Sequence, residues 1–540
     1  MKAKRTLASN LLVAAMAAAF CAVSASVVQA HPSSPHEVFQ AQKIDELGRL
    51  AFPTSAKSPE AQSAFVEGML LLHLFEYQHA QLAFRKAQAL DPDFALAYWG
   101  EAMTATHPVW NQQNMAAGRA ALAKLGATAQ ARADKAPTAR EKAWLDTAEM
   151  LYGEGSKRER DARFAQAMER ISRDYPEDDE AKLFHSLGLL GLAQGERDLP
   201  NFLAAAEIAQ AVYRRNPEHP GAAHYWIHGM DDPEHASGAL EAARSLSKIA
   251  PRAGHAQHMT AHIFMALGMW EDVVASNVTA INTVDTQRQA RGQLAFTCGH
   301  YVEWLQYGYF QQGHQDKALT LLADCERTGP EAVAWFRSHP SGALGPTDTP
   351  DILLDRIASS LVLMRAMAIV DSEAYLKQAA LAPRAPTQKG RQGGWELFAQ
   401  GFAQATTGDA SGAAKTLGQL RALIAIAPAA DEAASTAKYL HVMEGMLDGT
   451  VKHAGGDIDG ALASVAEAAK IYDAMPFDFG PPATFKPPHE LAGEMLLAAG
   501  RPAEAVKEFD IALKWAPERA RSVQGRNAAL AASGAPKASN

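Results

Sequence analysis

Cysteine is scarce. The 540 residues hold three, and Cys21 lies in an N-terminal apolar run. Cys298 and Cys325 are too few for a disulfide framework, and two readings stay open for them: one bridge in an oxidising compartment, or two buried thiols. Positive charge is also in short supply, with 51 Lys and Arg against 60 Asp and Glu and a formal charge of −9. Without a basic tract, nucleic acid and anionic membrane surfaces are poor candidates as partners. Beyond residue 28 no apolar run is long enough to span a bilayer. A Gly-rich phosphate loop, a G-x-S-x-G elbow, a Cys-x-x-Cys pair and a haem attachment motif are all missing, so serine- or cysteine-nucleophile chemistry has no support. What remains, 48% hydrophobic and 21% charged, is the balance of a folded protein.

The N-terminus reads as a secretory signal peptide. Lys2, Lys4 and Arg5 precede the apolar stretch Leu11 to Val28, which ends in Val28-Gln29-Ala30. The Ala-rich run and its small-residue ending favour cleavage after Ala30 over a retained anchor. Removing those three basic residues makes the chain more acidic still. The expected location is periplasmic or secreted, with no membrane span after cleavage.

A repeat is present. His224 and His228 are four apart, as are His258 and His262, and the second pair follows the first by 34 residues. Pro217 and Pro251 share that offset. Thirty-four is the period of a tetratricopeptide helical hairpin. Gly68, Ala80, Phe84, Ala87 and Pro92 recur with the same spacings, 12, 4, 3 and 5, as Gly493, Ala505, Phe509, Ala512 and Pro517. Small residues let two helices approach, and the proline stops the second one. A further copy starts near His300, and hairpins are predicted at 140–195, 352–382, 394–425 and 434–474. The fold class is an all-α tetratricopeptide-type solenoid (right-handed superhelix), curved so that its last repeat faces the His-bearing ones. The predicted organisation is a signal peptide (1–30), an N-terminal solenoid with His-rich repeats (31–327), a Pro/Gly-rich loop (328–350), a C-terminal solenoid (351–530) and a disordered tail (531–540). Residues 382–394 read as a second loop and 476–488 as an extended segment.

Eight of the 19 histidines fall between residues 219 and 300. Residues four apart share a helix face, so each pair can reach one metal ion, and the neighbouring repeat brings the second pair close. In tetratricopeptide register, His224 and His228 take positions five and nine of one first helix, and His255, His258 and His262 take two, five and nine of the next. His300 and Glu303 follow in the third, and Glu490 and Glu494 in the last. Those positions line the concave groove. The candidate ligands are therefore His224, His228, His255, His258, His262, His300, Glu303, Glu490 and Glu494. Asp231, Asp232, His235, Glu101, His107 and His489 stand as secondary candidates. Imidazole and carboxylate donors without thiolate suit a divalent transition metal (Zn, Fe, Mn or Cu) and do not choose among them. Six or more ligands leave room for a dinuclear centre. The alternative is an interaction scaffold whose polar groove takes a peptide or a partner helix without metal.

The segments "LAYWGEAMTATHPVWNQQ", "NPEHPGAAHYWIHGMDDPEHA", "IAPRAGHAQHMTAHIFMALGMWEDVVASN", "HYVEWLQYGYFQQG" and "FGPPATFKPPHELAGEMLLAAGRPAEA" resemble a largely uncharacterised family of exported bacterial tetratricopeptide proteins with His-rich repeats. The resemblance runs across most of the mature chain. It implies the solenoid fold and export, and it leaves the activity open. Related proteins often carry a histidine where this chain has Tyr77. The leading expectation is an exported solenoid with a His/carboxylate metal site in its groove, as a metalloenzyme or a metal carrier.

Overall fold

Helix follows helix wherever the sequence alternates small contact residues with capping signals. The computed structural model describes residues 46–194, 196–339, 349–381, 390–426 and 434–534. The predicted signal peptide lies outside them, as do 340–348, 382–389 and the end of the predicted tail. From Pro59–His73 to Ala520–Ser533 the described chain is almost wholly α-helical. Exceptions include a two-residue antiparallel ladder pairing Thr106–His107 with Gln112–Gln113, two short 3-10 turns and the segment between Asp473 and Pro488. Starts are capped locally. Ser58 accepts from the Ala61 amide with Pro59 at the first position, and Ser156 with Glu159 forms a reciprocal capping box.

Successive helices form antiparallel hairpins: Pro59–His73 with Tyr77–Leu90, Gly254–Ala266 with Trp270–Ala290, and Pro488–Ala498 with Pro502–Trp515. One device recurs at the crossings. Phe84 is fully buried between Gly68 on the preceding helix and Gly100 on the following one, where a Cβ would lie 2.6 and 2.4 Å from its ring. Phe509 sits likewise between Gly493 and Gly525, at 2.9 and 2.3 Å. The aromatic ring fills the space that the two absent side chains leave, so three consecutive helices share one contact.

The predicted loop 328–350 is partly helical. The helix Gln315–Ser338 runs through Pro330. Proline removes one amide donor, but the helix continues because Gly329, Ala332 and Val333 are buried, with Gly329 against Ile357 and Cys298. Tertiary packing overrides the local breaker signal. The last helix likewise extends to Ser533, inside the predicted tail. Cys298 and Cys325 form a disulfide, with Cα atoms 4.9 Å apart.

The two ends of the stack pack on its middle. Gly221 meets the His73 ring, where a Cβ would be 2.4 Å from Nδ1. The C-terminal repeat returns onto the His-bearing ones: Trp270 Nε1 donates to the Glu518 carbonyl at 2.8 Å, and Arg519 contacts the Tyr307 hydroxyl at 3.2 Å. The segment between Asp473 and Pro488, predicted to be extended, has no helix and lays Phe479 against His262 and Gly480 against Trp304.

Substituting Gly100→Ala or Gly525→Ala forces the phenylalanine ring to move and is expected to cost about 1–3 kcal/mol in urea unfolding. Gly418→Ala, where nothing lies within 4 Å of the added methyl, is the control and should be neutral or slightly stabilising.

Candidate metal centre

Three first helices of successive hairpins carry the histidines. Pro220–Gly229 presents His224 and His228, Gly254–Ala266 presents His255, His258 and His262, and His300 opens His300–Gln311. They assort into two triads, His224/His228/His255 and His258/His262/His300. In each, one ring nitrogen per residue lies within 4.8 Å of the others. Within the first triad His224 stands 4.8 Å from His228 and 5.1 Å from His255, centroid to centroid; within the second His258 stands 5.0 Å from His262 and 4.6 Å from His300. The middle helix belongs to both, so the triads are neighbours. Rings of His228 and His262 are 5.9 Å apart, and those of His255 and His258 6.2 Å.

Hydrogen bonds fix the tautomers. His224 Nδ1 lies 2.7 Å from the His73 carbonyl, which can only accept, so Nδ1 carries the proton and Nε2 a lone pair. His258 Nδ1 lies 2.7 Å from Asn277 Oδ1, and the Asn277 amide is oriented by donating Nδ2 to the Val273 carbonyl at 2.8 Å. His262 Nδ1 donates to the Asp231 carboxylate. The Nε2 atoms of His258 and His262 then face each other at 3.2 Å with a lone pair on each. Two such lone pairs repel unless a proton or another cation lies between them. In the first triad Nε2 of His224, His228 and His255 is buried with no hydrogen-bond partner among the described residues.

Burial, reinforced by neighbouring imidazoles, disfavours the charged form of His224, His228, His255 and His258. It lowers His224 to about 3 even against its bond to the His73 carbonyl, and takes His228, His255 and His258 well below the usual range. Neutral imidazole is the form that ligates a metal.

The groove expectation changes here. His224, His228, His258 and His262 are buried, because Phe75 covers the first triad, 4.4 Å from the His224 ring, and Trp304 and Phe479 cover the second, 4.4 and 5.3 Å from His262. His255 is half-buried and His300 is on the accessible side.

The carboxylates predicted as ligands are elsewhere, each held by a cation or a hydroxyl. Glu490 accepts from Arg519 at 2.8 Å, Lys486 at 3.0 Å and Ser522 at 2.6 Å. Glu494 accepts from Lys486 at 2.7 Å. Glu303 turns to Ser360, and burial pushes its carboxyl up to about 6. Among the secondary candidates, Asp231 acts on His262 from behind, and Asp232 takes Arg197 at 2.6 Å and His235 at 2.8 Å. Glu101 is paired with Arg85 and Lys124, and His107 stacks on Tyr77 at 3.8 Å. His489 lies between Glu508 and Asp473; burial works to lower its pKa, but the two carboxylates outweigh it and raise it.

A third group escaped the sequence reading: His73, Glu180 and His219. Here every atom is satisfied. His219 Nδ1 accepts from the Ala222 amide, so its Nε2 donates to Glu180 at 2.8 Å. His73 Nε2 donates to the other carboxylate oxygen at 2.7 Å, and its Nδ1 accepts from the Tyr225 hydroxyl. This network anchors the His73 carbonyl that orients His224. The sequence held one clue, a lone His73 in the apolar run "GMLLLHLF", whereas Glu180 looks like an ordinary acidic first-turn residue.

No protein-family profile and no curated protein matches the sequence. Solved structures do align at low similarity. The Cut9–Hcn1 hetero-tetramer of APC/C is 12% identical with TM-score 0.33, covering 90% of this chain and 79% of that one. The human IFIT1 dimer with m7Gppp-AAAA is 14% identical with TM-score 0.36, covering 90% and 91%. Yeast Tom70 is 11% identical with TM-score 0.29, covering 88% and 96%. At these values the likeness carries nothing about what this chain binds.

Burial works to raise the Glu180 carboxyl, but His73 and His219 outweigh it and hold it at about 2, against an ordinary 4.5. A carboxylate depressed in the folded state stabilises fully above its ordinary pKa and loses that contribution as pH falls toward the folded value. The contribution is about 3 kcal/mol. Melting temperatures taken from pH 5 to pH 3 should fall less steeply in Glu180→Gln than in the parent. Parallel curves would contradict the network.

Proposed function

We propose that the two triads bind a divalent transition metal through neutral imidazole Nε2 atoms. The observation that supports this most is the 3.2 Å approach of two lone pairs on His258 and His262, whose Nδ1 protons are committed to Asn277 and Asp231. A metal ion there would turn that repulsion into ligation, and one at the first triad would satisfy its buried Nε2 atoms. Leaving such an atom unpaired costs about 1–3 kcal/mol. The donors are all nitrogen, which suits Zn, Cu and Fe better than the oxygen-preferring Mn. Asp231, Asn277 and the His73 carbonyl would be the outer partners that orient ligating imidazoles. Three protein ligands per ion is the count of catalytic zinc-type sites, which keep a position for water or substrate, so the arrangement favours a metalloenzyme over a carrier. Export to an oxidising compartment is part of this reading and agrees with the Cys298–Cys325 disulfide.

An interaction scaffold is the second reading, and the stacked hairpins favour it directly. An open cleft of about 790 Å³ is lined by Gln311, Gln315, Lys377, Glu494, Arg521 and Gln524. A cleft of mixed polar and apolar lining between helical repeats suits an extended peptide or a partner helix. It does not use the histidine triads, so the two readings separate experimentally. No helix among the described residues is long and apolar enough to cross a membrane.

Metal analysis of the mature, untagged protein from its native compartment decides the first reading. The expected result is bound Zn, Cu or Fe that is retained on gel filtration and lost in His224→Ala/His258→Ala. A metal-free protein that resists reconstitution, with both chains melting alike, would leave the scaffold reading.

A further inference from the structure

If a metal binds here, the number of ions is set by how the six histidines are grouped. The six rings fall into two sets of three, with the ligand nitrogens of each set within 4.8 Å of one another, and do not point to one centre. The first triad is closed by Phe75 on one side, with its ring 4.4 to 5.7 Å from all three histidines. The second is set between Trp304, Tyr301 and Phe479, with Trp304 4.8 Å from His258 and 4.4 Å from His262. One helix, Gly254–Ala266, supplies His255 to the first triad and His258 and His262 to the second. Its turn is therefore a shared wall. Across it the nearest rings are those of His228 and His262, 5.9 Å apart.

The surroundings of the triads also differ. Of the six histidines, His262 alone lines a cavity of about 30 Å³, together with Asp231, Trp270, Tyr307, Tyr472 and Phe477. That space admits about one water molecule. Asp231, which accepts from His262 Nδ1, is itself on this wall.

We infer that the centre takes two ions, one on each triad, close enough to share a water-sized bridging ligand that enters on the His262 side. This rests on the metal-binding reading above and specifies its nuclearity and the size class of its exogenous ligand. Paired sites of this kind hold their ions about 3.5–4 Å apart, where one oxygen atom spans both.

Copper(II) is a suitable probe because it binds imidazole tightly and carries an unpaired electron. The full-length mature protein is loaded with Cu(II), cleared of loosely held ion on a chelating resin, and measured for copper content and for electron spin by paramagnetic resonance. Two coppers per chain are expected, with the spin count well below two because neighbouring ions couple through the bridge. His228→Gln and His300→Gln each disable one triad. Each variant should hold one copper with its full spin. Circular dichroism melting identifies the folded samples, and His224→Gln and His262→Gln replace any variant that does not fold. One copper in the parent, abolished by either substitution, would overturn the two-ion inference and leave metal binding intact. Two coppers with undiminished spin would overturn the shared ligand. No copper in the parent would remove the metal-binding reading itself.

Discussion

The centre of this protein depends on three Nδ1 hydrogen bonds. The His73 carbonyl, Asn277 and Asp231 each commit one imidazole proton outward, from His224, His258 and His262. Once those protons are placed, the Nε2 lone pairs have nowhere to point except inward. Burial then keeps the His224 and His258 rings neutral, since charging an imidazole in an apolar setting is costly. A cluster of six histidines packed without these outer partners would settle into mutual N–H to N hydrogen bonds. The His73/Glu180/His219 group shows a different resolution within the same molecule: there a carboxylate accepts from both rings and every atom is paired. The contrast between a satisfied group and two unsatisfied ones, built from the same residue type, is the basis of the functional reading.

Covering most of these rings requires the stack to close over them. A stack of helical hairpins ordinarily leaves its inner face open, and repeats contact only their neighbours. Here Arg519, held by Glu490 of its own repeat, ties the last repeat to the middle through Asp371 and Tyr307. Lys486 neutralises Glu490 from the other side. Buried ion pairs of this kind contribute little net stability, but breaking one leaves an uncompensated charge. Their role is better seen as registry: they hold the Phe479–Gly480 segment over His262 and Trp304.

Much of this was legible in the sequence. The 34-residue offset between His224/His228 and His258/His262 fixes both the repeat and the pairing, because a solenoid places equivalent positions on adjacent helices. The Gly68–Phe84 and Gly493–Phe509 spacing exposed the hairpin geometry for the same reason. Glu490 and Glu494 misled because register alone does not reveal a cation brought from elsewhere; Arg519 reaches Glu490 from 29 residues away. Glu303 has the right spacing from His300 but turns to Ser360, which comes from a different hairpin. His73 was missed because its partners, Glu180 and His219, lie 107 and more residues away in sequence. The Pro330 helix was hidden by a local signal that tertiary packing outweighs. In each case the failure is one of long-range partnership, which periodicity does not encode.

Anomalous diffraction from crystals of the protein grown with zinc tests the central claim most directly. The account predicts anomalous peaks about 2.0–2.1 Å from Nε2 of the triad histidines, with Nδ1 of His224, His258 and His262 still bonded to the His73 carbonyl, Asn277 and Asp231. Zinc confined to surface histidines, with the triad rings rotated so that their Nε2 atoms pair with one another or with protein carbonyls, would contradict it.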